Sequence, residues 1–253
     1  METGSVAAAS ARPATITPIT GHEPQKGHLP VSDELPEPPE IARDVFAGEA
    51  WDRAITFADL LAGPGVVRGL LGPREVPRIW DRHMLNCAVV AEAVPPDVRL
   101  VDIGSGAGLP GVVLAIVRPD IQVTLLEPLL RRTVFLEECV EALKLDNVEV
   151  LRGRAEELAG KREFDVASAR AVAPLDRLLK WAMPLLREGG ELIAMKGERA
   201  AGELAEAQEQ LRAVGARTAE LVTVGRGKVE PPATLVRVVA GRPPERARRR
   251  RRR

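Results

Sequence analysis

Val101-Asp-Ile-Gly104-Ser-Gly106-Ala-Gly108-Leu-Pro-Gly111 decides the fold of this 253-residue chain. The short apolar run from Val98 to Ile103 reads as a strand, and the apolar pattern that follows the glycines, through Val117, reads as a helix. Glycines at such a junction let the backbone turn sharply and come close to a bound molecule, where any side chain would intrude. Downstream the alternation continues. Strands are expected at Ile121–Leu126, Val148–Leu151, Phe164–Ser168 and Glu191–Met195, and helices at Leu130–Leu143, Leu175–Leu186 and Ala200–Val214. That order predicts right-handed crossovers and a parallel sheet covered on both faces. Ala219–Val224 and Thr234–Val239 have no helix between them, so they are expected to pair antiparallel at one edge. The fold class is α/β, a Rossmann-type, doubly wound, mostly parallel sheet with an antiparallel edge hairpin.

Upstream the pattern is helical. Val76, Ile79, Trp80, Met84, Cys87, Ala91 and Val94 recur at three- and four-residue steps, an amphipathic stripe. Gly63-Pro64-Gly65 and Gly72-Pro73 are expected to break residues 41–95 into three or four helices, a cap before the sheet domain of residues 96–240. Residues 1–40 hold seven of the 21 prolines and no periodic apolar pattern, so disorder is expected there. A disordered arginine-rich tail is expected over residues 241–253.

Composition narrows the function. The formal net charge is zero, but eight arginines and one glutamate fall between Arg242 and Arg253. A mildly acidic body therefore carries a basic end suited to an anionic partner, with a clamp on RNA phosphates as the functional reading and a solvating extension as the plain one. Four Phe, three Trp and no Tyr leave little for a base-stacking platform. Two cysteines and three histidines argue against a disulfide framework or a zinc site, so no metal is expected. No apolar run approaches the ~18 residues of a spanning helix, and the first ten residues lack a signal-peptide pattern. A cytoplasmic protein without a membrane partner, and a monomer, are the expectations.

Gly106, Gly108 and Gly111 fit the dinucleotide pattern G-x-G-x-x-G. That reading leaves two spare residues after Ile103 and puts Pro110 where a helix should present free N–H groups to a pyrophosphate. Read from Gly104, the pattern is D-x-G-x-G-x-G with Asp102 two residues before the first glycine. It resembles motif I of the methyltransferases of Rossmann type (class I) that use S-adenosyl-L-methionine. Glu127, at the end of the second strand, stands where such enzymes place a carboxylate for the ribose hydroxyls, and the antiparallel edge agrees.

The acceptor is narrowed by chemistry. Pyrimidine C5 needs a cysteine nucleophile after the fourth or fifth strand, and neither Cys87 nor Cys139 lies there. An exocyclic base amine usually calls for a Pro-Pro-aromatic corner, but Ser168-Ala-Arg170-Ala stands at that place. For a ribose hydroxyl, Lys196 alone is thin support. An acceptor without a proton remains, such as guanine N7, which needs positioning more than a base. A small-molecule methyltransferase and a non-catalytic RNA-binding protein of the same fold stay open as alternatives.

Arg82-His83-Met-Leu-Asn86, Asp102 to Gly111, Arg118-Pro119, Leu143-Lys-Leu, Arg154-Ala-Glu156-Glu157, Ser168-Ala-Arg170-Ala and Met195-Lys196-Gly197 occur in that order. Together they resemble the small-subunit ribosomal RNA guanine-N7 methyltransferases, also called glucose-inhibited division protein B, over roughly residues 41–240. The resemblance implies methyl transfer from S-adenosyl-L-methionine to N7 of one guanine of 16S rRNA, position 527 in standard numbering, with 16S rRNA or the 30S subunit as partner. It implies cofactor binding by Gly104 and Leu109 in the loop, by Ala155 and Glu156 beside the adenine, and by Arg170. Asp102, Gly106, Gly108 and Glu127 complete the expected cofactor set. Arg82, His83 and Lys196 are the candidate catalytic residues, with Asn86 beside them on a lid helix. Ser105, Ala107 and Glu127 stand where Thr, Pro and Asp are commoner in the family.

Overall fold

A computed structural model describes residues 35–241 of the chain. The expectations for most of the proline-rich start and for the arginine tail therefore lie outside the described residues. Within residues 35–40, Leu35 packs against the core, and the Pro39 carbonyl accepts the Ala42 N–H at 2.8 Å.

Two helices come first among the described residues, α1 (Ile41–Val45) and α2 (Glu49–Leu60). The break expected at Gly63-Pro64-Gly65 does not occur, because α2 runs on into a π-helical turn, Leu61–Gly65, with Pro64 inside it. Proline has no N–H to give, and a wider turn absorbs it without ending the helix. Gly72-Pro73 does mark a boundary, opening a 3₁₀ turn over Pro73–Arg78. A second π-helical stretch, Ile79–Leu85, then α3 (Asn86–Ala88) and a 3₁₀ turn, Val89–Ala93, carry the amphipathic stripe. Its residues Val76, Ile79, Trp80, Met84 and Cys87 are all buried.

Among the described residues the sheet has seven strands. β1 (Arg99–Ile103), β2 (Gln122–Glu127), β3 (Val148–Arg152), β4 (Phe164–Arg170) and β5 (Leu186–Met195) are parallel, followed by β6 (Ala216–Val224) and β7 (Ala233–Ala240). The spatial order is β3-β2-β1-β4-β5-β7-β6, with β7 antiparallel to both β5 and β6. Helices α4 (Gly111–Val117), α5 (Leu130–Leu143), α6 (Ala155–Leu158), α7 (Leu175–Ala182), α8 (Ala200–Glu206) and α9 (Gln208–Ala213) cover the two faces.

Two local expectations are corrected. The helix drawn to Leu186 stops at Ala182, where Met183–Leu185 tightens into a 3₁₀ turn at Pro184, and β5 begins at Leu186 instead of Glu191. Gly189, at φ +79°, lies where the β4–β5 register shifts, so residues that resemble a loop belong to an irregular strand. The long final helix is divided at Ala207 into α8 and α9.

Period-two alternation sorts β1 between two cores. Leu100 joins α4, α5 and the helical segment of residues 41–93 on one face, whereas Val101 and Ile103 join α6–α9 on the other. Every residue of α4 from Gly111 to Ile116 is buried, which suits a helix lying between a sheet and a further helical layer. Chain order reverses between β1 and β4, and a crevice opens there at the carboxyl ends of the strands. The glycine loop follows β1 and Arg170 ends β4, so both reach that crevice.

Candidate active site

The loop after β1 owes its course to its glycines. Gly104, Gly106 and Gly108 have φ of +67°, +58° and +92°, conformations that disfavour any residue with a Cβ. At Gly108 a Cβ would stand 2.6 Å from a Val112 methyl, so there the close approach is helix packing. At Gly104 it would meet the Val172 methyls at 3.0 and 3.1 Å.

This loop borders a cleft of about 650 Å³. Gly104, Gly106, Leu109, Glu127, Ala155, Glu156 and Arg170 all line it, so seven of the nine residues expected to hold a cofactor converge from β1, β2, β3 and β4. Glu127 is buried. Its Oε2 accepts the Gly106 N–H at 3.0 Å and its Oε1 accepts the Leu129 N–H at 3.1 Å. A carboxylate offers about four lone-pair positions, so each oxygen can still receive a hydroxyl.

Gly108 and Asp102 lie outside that lining. Asp102 is 1% exposed and turned into the helical face, where it accepts the Ser168 hydroxyl at 2.7 Å and the Gly111 N–H at 3.2 Å. Burial raises its carboxyl to about 6, against the hydrogen bonds from Ser168, Ser105 and Gly111 and the charge of Arg170. Its place is beneath the loop, tying β1, β4 and α4 together, because odd and even positions of a strand face opposite ways.

Sequence reasoning missed Arg132, Leu70, Leu71 and Trp181, which also line the cleft. Arg132 lies 3.6 Å from Glu127 in the first turn of α5. A signal for it exists: Arg131 and Arg132 oppose the dipole at that helix N-terminus, and an unfavourable placement points to another use. Leu70 and Leu71 come from a distant segment and carry no local signal.

A second cleft, about 1510 Å³, adjoins the first and shares Arg170, Ala171 and Val172 with it. Arg78, Arg82 and Asn86 line it from the helical segment, and Lys196, Arg199 and Lys228 from the sheet side. Asn86 Oδ1 is buried without a hydrogen-bond partner among the described residues. Arg82 is half exposed, with its Nε 3.4 Å from Glu75.

His83 and Lys196 are placed differently from free catalytic groups. His83 is 2% exposed and lines neither cleft. Its Nδ1 accepts from the Arg170 guanidinium, so the neutral ring carries its proton on Nε2 and donates it to Glu75 at 2.9 Å. Burial, together with the Arg170 charge, lowers its pKa to about 4 despite the opposing pull of Glu75. Lys196 Nζ donates to the Ala173 carbonyl at 2.6 Å and pairs with Glu203 at 2.8 Å. These two of the three expected catalytic groups are thus committed to holding other parts of the site.

Comparison with known proteins agrees with this architecture. A solved Klebsiella pneumoniae structure, provisionally assigned as an O-methyltransferase, shares the fold at a TM-score of 0.50 and 16% identity, covering 78% of this chain and 91% of that one. Residues 51–230 match the family model described as GidB, rRNA small subunit methyltransferase G. Proteins named ribosomal RNA small subunit methyltransferase G are 60% identical in Thermobifida fusca, over 79% of this chain and 84% of that one, and 57% identical in Streptomyces coelicolor, over 83% and 88%. The Corynebacterium diphtheriae protein of the same name is 48% identical over 86% of this chain and 97% of its own length. This chain belongs to the GidB family, rRNA small subunit methyltransferase G.

Proposed function

We propose that this protein transfers a methyl group from S-adenosyl-L-methionine to N7 of the guanine at position 527 of 16S rRNA. The observation that carries this reading is the meeting of two unlike clefts at Arg170–Val172, one lined by glycines and a buried carboxylate, the other larger and lined by six basic and five acidic side chains.

The first cleft suits the cofactor. Its volume is in the range of small-molecule sites. The loop at Gly104 and Gly106 leaves backbone, not side chains, against the ligand, and Glu127 keeps acceptor capacity for two ribose hydroxyls. On this reading Leu109, Ala155 and Glu156 enclose the base, and Arg170 faces the amino-acid end. When bound, S-adenosyl-L-methionine supplies a methyl group activated by a sulfonium sulfur.

The second cleft exceeds the usual volume of a small-molecule site, which favours a large substrate over the small-molecule alternative. Arg78, Arg82 and Arg199 suit phosphate contacts, while the partnerless Asn86 Oδ1 suits a base donor. Guanine N7 has a lone pair and no proton, so the acceptor needs alignment and no general base. That agrees with a site where His83 and Lys196 are already paired. The arginine tail, on the same reading, adds phosphate contacts that carry no sequence information.

The test is transfer of labelled methyl groups to rRNA from a strain lacking this modification, followed by nucleoside analysis. Label recovered as 7-methylguanosine is the expected result. Label in 5-methylcytidine, or transfer only to small molecules, refutes it.

A further inference from the structure

One short loop, from Arg170 to Pro174, separates the two clefts, and the fold holds it at both ends. At its start the Arg170 guanidinium donates to His83 Nδ1, to Cys87 Sγ at 3.2 Å and to the Arg82 carbonyl at 3.4 Å. His83 is itself oriented by Glu75, 2.9 Å from Nε2. At the loop's end the Ala173 carbonyl accepts from Lys196 at 2.6 Å. Glu203 fixes that lysine at 2.8 Å, and its Oε2 also accepts the Leu175 N–H at 2.8 Å, where α7 begins. Glu75 lines neither cleft.

Between the two anchors Ala171 has φ +52°. A residue with a Cβ takes that conformation only where its surroundings impose it. The next residue, Val172, lies against Gly104, so the loop is also fitted to the glycine turn. Arg170, Ala171 and Val172 face both clefts, so any shift of this loop moves the wall that the acceptor and the cofactor would share.

We propose that Glu75 and Glu203 are positioning residues for methyl transfer, acting through His83 on Arg170 and through Lys196 on Ala173 to clamp the Arg170–Pro174 loop between the clefts. The proposal rests on the methyltransferase reading above. Where the acceptor needs no base, alignment carries the rate, and a misplacement of about 1 Å costs on the order of a hundredfold. Charge-assisted hydrogen bonds at both ends are the means of holding a loop to that tolerance.

The experiment compares the full chain with Glu75→Ala, Glu75→Gln, Glu203→Ala and Glu203→Gln. It measures kcat at saturating S-adenosyl-L-methionine and rRNA, cofactor affinity by calorimetry, and amide exchange across Ala171–Ala173. Each alanine variant is expected to lose about 10- to 100-fold in kcat per folded molecule. Cofactor affinity should stay within about threefold, and exchange at Ala171–Ala173 should rise. The glutamine variants keep an acceptor oxygen and should recover most of the rate. Should Glu75→Ala not fold, Glu75→Asp, one methylene short of His83, should show the same loss. Alanine variants with unchanged kcat beside an active wild type overturn the clamp, as does unchanged exchange. A wild type that transfers nothing to rRNA refutes the underlying function instead, and the exchange measurement then decides the clamp alone.

Discussion

The Glu127 carboxylate accepts the Gly106 N–H at 3.0 Å, which ties the end of β2 to the middle of the glycine loop. One side chain therefore shapes the loop and offers acceptors to whatever lies over it. Glu127→Ala is expected to weaken S-adenosyl-L-methionine binding by more than tenfold, about 1.4 kcal/mol, read by isothermal titration. Glu127→Gln keeps one acceptor oxygen but sets its NH2 donor against a backbone N–H, so its loss should be smaller than that of the alanine variant without being abolished. An unchanged affinity in the alanine variant contradicts the assignment.

Asp102 should behave differently despite its place in the same motif. Asp102→Ala leaves the Ser168 hydroxyl and the Gly111 N–H without their acceptor in the interior. Each such group costs about 1–3 kcal/mol, so urea unfolding should show a loss of roughly 2–6 kcal/mol. Cofactor affinity of the folded protein should fall less than in Glu127→Ala. The reverse order would place Asp102 in the cleft after all.

The glycines separate in the same manner. Gly104→Ala puts a methyl against the Val172 side chain at the cleft wall, and the loss should appear mainly in cofactor affinity. Gly108→Ala drives a methyl to 2.6 Å from Val112 and 3.1 Å from the Phe57 ring, away from the cleft. Both incur the left-handed cost of about 1–2 kcal/mol. Thermal unfolding should therefore rank Gly108→Ala as the less stable, because an aromatic ring in a packed core yields less than a valine methyl at a cleft.

His83 links the site to pH. Its neutral ring is kept in the fold by burial and by Arg170, with Arg82 adding to the effect and Glu75 opposing it. The folded value of about 4 lies below the ordinary 6.5, so the stabilisation is present above pH 6.5 and is lost as pH falls from there through 4. At about 1.4 kcal/mol per unit, the loss is on the order of 3 kcal/mol. In His83→Gln the stability difference between pH 7 and pH 4 should shrink by roughly that amount in denaturant titrations. A variant with the wild-type pH slope would show that His83 titrates in the fold as it does in solution.

Much of the lining of the first cleft was legible because its signals are local. Glycines between an apolar run and a helix, then an acid at the end of the next apolar run, place Gly104, Gly106 and Glu127 without any knowledge of packing. Leu130–Leu143 was readable to the residue for the same reason, as a helix with its own pattern. What failed depended on distance. Glu75 is eight residues from His83, but Arg170 is 87 residues away, so nothing near His83 announced that its ring was already engaged. Lys196, just after β5, resembled a free catalytic group until Glu203 and Ala173 appeared beside it. The π-helical passage through Pro64 and the irregular start of β5 are cases where tertiary packing overrode glycine and proline as local punctuation.

The central claim is methylation of one guanine at N7, and the most direct measurement is cleavage of the RNA where that modification sits. N7-methylated guanines become scissile after borohydride reduction and aniline treatment, whereas unmodified ones do not. Small-subunit rRNA from a strain lacking the modification, incubated with this protein and S-adenosyl-L-methionine, should acquire one new cleavage in 16S rRNA, at guanine 527. The same RNA treated with Glu127→Ala at limiting cofactor should acquire it more slowly. No new cleavage, or label incorporated without it, would contradict the account.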